Sequence, residues 1–86
     1  MAASFALNIS TFDKVVYKGN AVSLVAPGEA GYLGILAHHA PLITPLKPGS
    51  ITIRSGDGAS VSIESSGEGF LEVIKNNVTL LLDSVK

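Results

Sequence analysis

Near the start of the chain Phe5, Leu7 and Ile9 alternate with Ala6, Asn8 and Ser10. A period of two is that of a strand, whose successive side chains point to opposite faces. This first strand ends near Thr11-Phe12-Asp13, and a short second one follows from Lys14 to Lys18. Gly19-Asn20 predicts a turn. Beyond it Val22, Leu24 and Ala26 alternate with Ala21, Ser23 and Val25. Both faces of that third strand are apolar enough for a central place in a sheet.

The second half repeats the pattern, with Ile51 and Ile53, Val61 and Ile63, Leu71 and Val73, then Val78, Leu80 and Leu82 marking four strands. Ser55-Gly56-Asp57-Gly58, Ser65-Ser66-Gly67-Glu68-Gly69 and Lys75-Asn76-Asn77 separate them, supplying residues that tolerate positive φ or form Asx turns. Nowhere does the i, i+3, i+4, i+7 spacing of an amphipathic helix last for three turns. The predicted fold is all-β, a sandwich or flattened barrel with a strand roughly every 8–12 residues. With no repeat, linker or low-complexity tract, residues 1–86 are expected to form a single domain.

Composition narrows the picture. A chain of 86 residues buries only roughly 60–65% of its unfolded surface, so its core must be dense. The 47% hydrophobic content is far from the profile of disorder. Six basic and seven acidic side chains leave a net charge of -1 and form no basic stripe, which excludes nucleic acid as a partner. Cysteine is absent, so neither a disulfide framework nor a thiolate metal site is available, in keeping with a reducing compartment. Met1-Ala2-Ala3-Ser4 lacks the basic lead and apolar run of a signal peptide. No apolar run reaches the ~20 residues of a membrane helix, and a soluble chain is expected. The Asn-x-Ser/Thr sites at Asn8 and Asn77 would matter only in a secreted protein.

Residues 27–49 stand apart, holding all four prolines (Pro27, Pro41, Pro45, Pro48), both histidines and four of the nine glycines. The stretch reads as one long, conformationally fixed connection, a feature more often functional than idle. Gly28, Gly31 and Gly34 are not spaced as Gly-x-Gly-x-x-Gly, and no helix follows to aim its amides at a phosphate. They predict a tight loop needing positive φ or close backbone approach. His38 and His39 point to opposite sides of an extended segment, with only Glu29 nearby as a third ligand, too few for a metal. One imidazole is expected to tie the Ala40-Pro41 turn by a hydrogen bond and the other to be solvated. There is no Gly-x-Ser-x-Gly elbow and no pair of carboxylates set to diverge in pKa. Gly49 after Pro48 reads as a turn residue, not as a site of self-cleavage at Gly49-Ser50, because no base, acid and nucleophile accompany it. The residues alone leave open a free-standing protein- or glycan-binding module and, more distantly, a small hydrolase or decarboxylase.

The same segment carries a family likeness. Pro27-Gly28-Glu29-Ala30-Gly31-Tyr32-Leu33-Gly34-Ile35-Leu36 and His39-Ala40-Pro41-Leu42-Ile43-Thr44-Pro45-Leu46-Lys47-Pro48-Gly49 resemble the signature of the epsilon subunit of F-type ATP synthases, called delta in mitochondria. Leu7 to Gly19, Gly69 to Val73 and Asn77 to Leu81 extend the likeness over nearly the whole chain. Ala37 and His38 stand where the family usually has proline and then glycine or asparagine. Tyr32 stands where an acidic residue is common, which alters a polar contact. The family also continues into a two-helix hairpin, whereas this sequence stops at Lys86.

The resemblance implies a ten-stranded sandwich lacking that hairpin, non-catalytic and without a cofactor. It would couple the gamma subunit to the ring of c subunits in the rotor of a proton-translocating complex that makes ATP from ADP. By motif position, the gamma contact falls to His39, Ala40, Pro41, Leu42 and Thr44, and the c-ring contact to Thr11, Glu29 and Tyr32. Gly28, Gly31, Gly34, Pro48 and Gly49 would shape the loop. Membrane association would come only through the complex, at the cytoplasmic face of a bacterial plasma membrane. Without the hairpin, coupling is expected with neither inhibition of hydrolysis nor nucleotide binding.

Overall fold

The computed structural model describes residues 3–86; Met1 and Ala2, half of the Met1–Ser4 start considered above, lie outside the described residues. Nine strands follow in chain order: β1 (Phe5–Thr11), β2 (Val15–Ala21), β3 (Ser23–Gly28), β4 (Gly31–Leu36), β5 (Leu42–Leu46), β6 (Gly49–Arg54), β7 (Ser60–Ser65), β8 (Gly69–Ile74) and β9 (Asn77–Leu82). The described residues contain no helix. Against the ten strands that the family resemblance implied there are nine among the described residues, with one further isolated bridge between Ser65 and Val85.

Hydrogen bonding runs through the order β2-β1-β9-β8-β5-β3-β6-β7, with β4 on the other side of β3. The sheet turns a corner where β3 leaves β6 and meets β5 at the single pair Gly28–Leu46. The five strands from β2 to β5 and the four strands β4-β3-β6-β7 thus fold over one core. Alternation explains what fills it. Phe5, Leu7 and Ile9 of β1 lie inside with Val78, Leu80 and Leu82 of β9, Leu71 and Val73 of β8, Leu24 of β3 and Ile51 and Ile53 of β6. Each such side chain contributes roughly 1.5–3 kcal/mol when fully buried. β1 and β9 run parallel, with Ile9 opposite Leu80, and every other described pairing is antiparallel.

Two expectations are corrected here. Gly19-Asn20 is not a turn but the extended end of β2, where Gly19 pairs with Leu7 and Asn20 with Ala6. Ladder pairing overrides turn propensity there, and the chain bends instead at Val22, whose N–H donates to the Arg54 carbonyl at 2.8 Å. Residues 27–49 are likewise not one long connection, since they contain β4 and β5.

The other turns fall where composition placed them. Lys75 (φ 48°) and Asn76 (φ 61°) join β8 to β9, a pair of left-handed residues suited to a two-residue hairpin. In the β6–β7 turn the Asp57 carboxylate accepts hydrogen bonds from the Ser55 hydroxyl and the Ala59 N–H, and the first of these holds its pKa below the usual carboxylate value. A depressed folded-state pKa means stability that is present above the unfolded value and lost as pH falls through the folded one. The Ala59 amide is therefore expected to lose exchange protection as pH is lowered through the carboxylate range. In Asp57→Asn this acid-side step should vanish; an NMR pH series giving identical profiles for both proteins would refute the assignment.

Candidate protein-contact surfaces

Register sets the geometry of the two residue groups. Thr11 pairs with Leu82, Leu82 with Gly69, Gly69 with Leu46, and Leu46 with Gly28, which pairs with Gly31. Thr11, Glu29 and Tyr32 therefore lie at one end of the sandwich, although 21 positions of sequence separate the first from the last. The Thr11 side chain is 8% exposed and its hydroxyl donates to the Asp13 carboxylate at 2.9 Å, so the group offered to solvent beside it is Phe12. Glu29 is exposed in the β3–β4 turn. Tyr32 lies across the corner, its hydroxyl accepting the Ser50 N–H at 3.3 Å. Ser50 in turn donates to Glu64.

Of the loop-shaping residues, Gly28 is buried so closely that a Cβ would stand 2.5 Å from Leu33 Cδ2 and 2.8 Å from the Gly31 carbonyl oxygen. Gly49 leaves the room that the Tyr32 hydroxyl occupies, 2.8 Å from where its Cβ would be. Gly31 has φ 140°, which favours glycine. Gly34 departs from expectation: it is an ordinary strand residue with open space where a Cβ would go, its nearest neighbour being the Leu24 carbonyl oxygen at 4.0 Å. Pro48 is exposed between β5 and β6.

The second group starts from the opposite end, in the β4–β5 connection. His39 Nδ1 lies 2.7 Å from the Ala40 carbonyl oxygen, the tie expected of one imidazole, while His38 is exposed. His38 itself adopts φ 63°, and its backbone N–H donates to Asn76 Oδ1 at 2.7 Å. Asn76 Nδ2 then donates to the Ser4 carbonyl at 2.9 Å, so one asparagine pins this connection to the start of the first strand. Ala40 and Pro41 are exposed. Leu42 and Thr44 are half-buried on the inner side of β5, with Leu42 packed on the core.

Between the ends, the outward face of the β1-β9-β8-β5 layer carries apolar groups that sequence reasoning missed. Ile43 is 69% exposed, Phe70 58% and Leu81 52%, and Phe12 at the edge reaches 87%. Phe70 and Leu81 are direct cross-strand partners. The available signals were the Leu80-Leu81-Leu82 run, which breaks the alternation, and a phenylalanine placed in a turn. Exposed apolar groups gathered in one area mark an interaction surface.

Among the described residues no three His, Cys, Asp or Glu side chains are placed to hold a metal ion. A sandwich with strands and no helix among the described residues, and with the two residue groups at its opposite ends, defines the class. The chain belongs to the ATP synthase delta/epsilon chain family, matching the model of its β-sandwich domain over residues 4–86. It is 45% identical over 84 residues to the ATP synthase epsilon chain of Moorella thermoacetica, covering 98% of this chain and 62% of that one. With the epsilon chain of Dichelobacter nodosus it shares 40% over 83 residues, covering 96% and 57%. The chain thus spans about 60% of the length of these curated relatives.

Among solved structures, a chain of the Euglena gracilis mitochondrial ATP synthase, in a structure of its OSCP, F1 and c-ring, superposes with a TM-score of 0.90 at 18% identity, over 100% of this chain and 54% of that one. A chain in the central stalk and c-ring of the Tetrahymena thermophila mitochondrial enzyme gives 0.80 at 17%, over 99% and 67%. Identities this low establish the fold.

Proposed function

We propose that residues 1–86 form a single β-sandwich domain that serves as a non-catalytic rotor subunit, coupling gamma to the c ring of an F-type ATP synthase at the cytoplasmic face of a bacterial plasma membrane. There the complex would use a proton gradient to make ATP from ADP. The observation that carries this reading is the placement of the two residue groups. Thr11, Glu29 and Tyr32 gather at one end, and the His39–Leu42 connection lies at the other, beside the β8–β9 turn. A coupling element must touch two bodies and yield little between them, and a close-packed sandwich transmits strain. The names of the relatives support the family role, and the c-ring and central stalk named for the two solved structures support the partners.

A tagged chain produced in a bacterium whose own epsilon gene is deleted should co-purify with gamma and c subunits from detergent-solubilised membranes. A photo-crosslinker at Glu29 should mark c, and one at Ala40 should mark gamma. Tagged protein that brings down neither subunit, or crosslinks reversed between the two ends, would sink this reading.

A further inference from the structure

We propose that the free edge of β4 pairs antiparallel with the β4 of a second copy of this chain, giving a two-fold symmetric dimer centred on Gly34. β4 hydrogen-bonds to β3 on one side, and among the described residues no strand covers its other side. Such an edge is a template for another strand unless charge, proline, a bulge or a covering segment blunts it. The two other outer strands carry these protections. β2 has Lys18 and an irregularity in register between Ile9 and Ser10. β7 has Glu64 and is bridged to Val85 through Ser65, and the Glu64 carbonyl accepts the Lys86 N–H at 3.0 Å. β4, with the sequence Gly-Tyr-Leu-Gly-Ile-Leu, has neither charge nor proline.

The strand's own order of residues selects the occupant. Residues directly opposite in an antiparallel pair point to the same face, so two copies of one strand meet only in registers centred on a residue. Centred on Leu33, Tyr32 and Ile35 would each face a glycine of the other copy. Centred on Gly34, Leu33 of each copy faces Ile35 of the other on the inner side, and Tyr32 faces Leu36 on the outer. Tyr32 and Leu36 are 62% and 65% exposed in the single chain, and aromatic and aliphatic cross-strand pairs of this kind stabilise a sheet. At the axis Gly34 meets Gly34, where the nearest atom to an added Cβ is 4.0 Å away. The strand matches itself in both directions, as a two-fold interface requires, and an unrelated sequence has no reason to match it.

Six residues a side fall short of the roughly 20–30 of a stable interface, so the dimer is weak and reversible. Tyr32 cannot serve both a second copy and the c-ring contact proposed above, which makes the dimer a form of the free chain; that last step alone rests on the rotor reading.

Sedimentation velocity on the 86-residue chain should show a reversible shift from monomer to dimer between about 10 µM and 1 mM. Gly34→Lys and Gly34→Glu each set like charges opposite one another and should stay monomeric, whereas an equal mixture of the two should dimerise again. Gly34→Cys brings two thiols within disulfide reach. Mild oxidation should link it about tenfold faster than Ala59→Cys, exposed in the β6–β7 turn, and this comparison decides the matter if a charged variant fails to fold. A chain still monomeric at about 1 mM, no dimer in the mixture of folded charged variants, or equal oxidation rates at the two cysteines would overturn the inference. Dimerisation centred on Gly34 in a chain that co-purifies with neither gamma nor c would leave the dimer standing and remove the rotor reading alone.

Discussion

Leu80→Ala should cost about 2–5 kcal/mol, lowering the thermal midpoint by roughly 10–30 °C for a domain of this size. Leu81→Ala, one position along the same strand, should shift stability by less than about 1 kcal/mol. Leu80 is fully buried between Ile9 of β1 and Leu71 of β8, both also fully buried. Truncating it leaves a cavity in a strand where a parallel and an antiparallel ladder meet. Leu81 faces outward at 52% exposure, so alanine there removes apolar surface that water already reaches. Calorimetry on the two variants decides the point, and comparable losses from both would mean that β9 is turned the other way.

A second large effect is expected at Gly69. An added Cβ would land on the Leu81 carbonyl oxygen and approach Leu82 Cα to 3.1 Å. These are main-chain atoms of the neighbouring strand, so relief requires β8 and β9 to part. Gly69→Ala should therefore destabilise by about 1–3 kcal/mol, the usual range for overpacking, whereas Gly34→Ala should be neutral within about 0.5 kcal/mol. Denaturant titration provides the comparison. A neutral Gly69→Ala would show that the two strands separate freely at that point.

How much of this could be read beforehand depends on what each signal measures. Alternation at Phe5–Ser10 and at Val78, Leu80 and Leu82 gave true strands, because those stretches are buried on one face only. β4 escaped notice because Tyr32, Leu33, Ile35 and Leu36 are apolar on both faces and Gly31 and Gly34 look like loop punctuation. Pro45 disguised β5, yet proline is admissible there: toward β3 the strand is bridged only at Leu46, so the missing N–H breaks no ladder on that side. For the proposed contact residues, motif position gave two groups that the fold sets at opposite ends, but not which side chains face out. It indicated Thr11, Leu42 and Thr44, all at least half-buried, and passed over Phe12 and Ile43. Periodicity reports that one face differs from the other and is silent on which of the two is covered.

The parallel pairing of β1 with β9 sets a timetable for the protein's birth. β1 is made early and can form a hairpin with β2 at once. Its other edge must wait for residues 77–82 to be synthesised. Until then Leu7 and Ile9 lack their central partners, and a nascent chain presents an open strand edge to chaperones and to other nascent chains. A topology governed by such distant pairings folds in milliseconds to seconds rather than microseconds. Variants that weaken β9 should accordingly lower the yield of soluble protein in cells more than their effect on the finished fold would indicate.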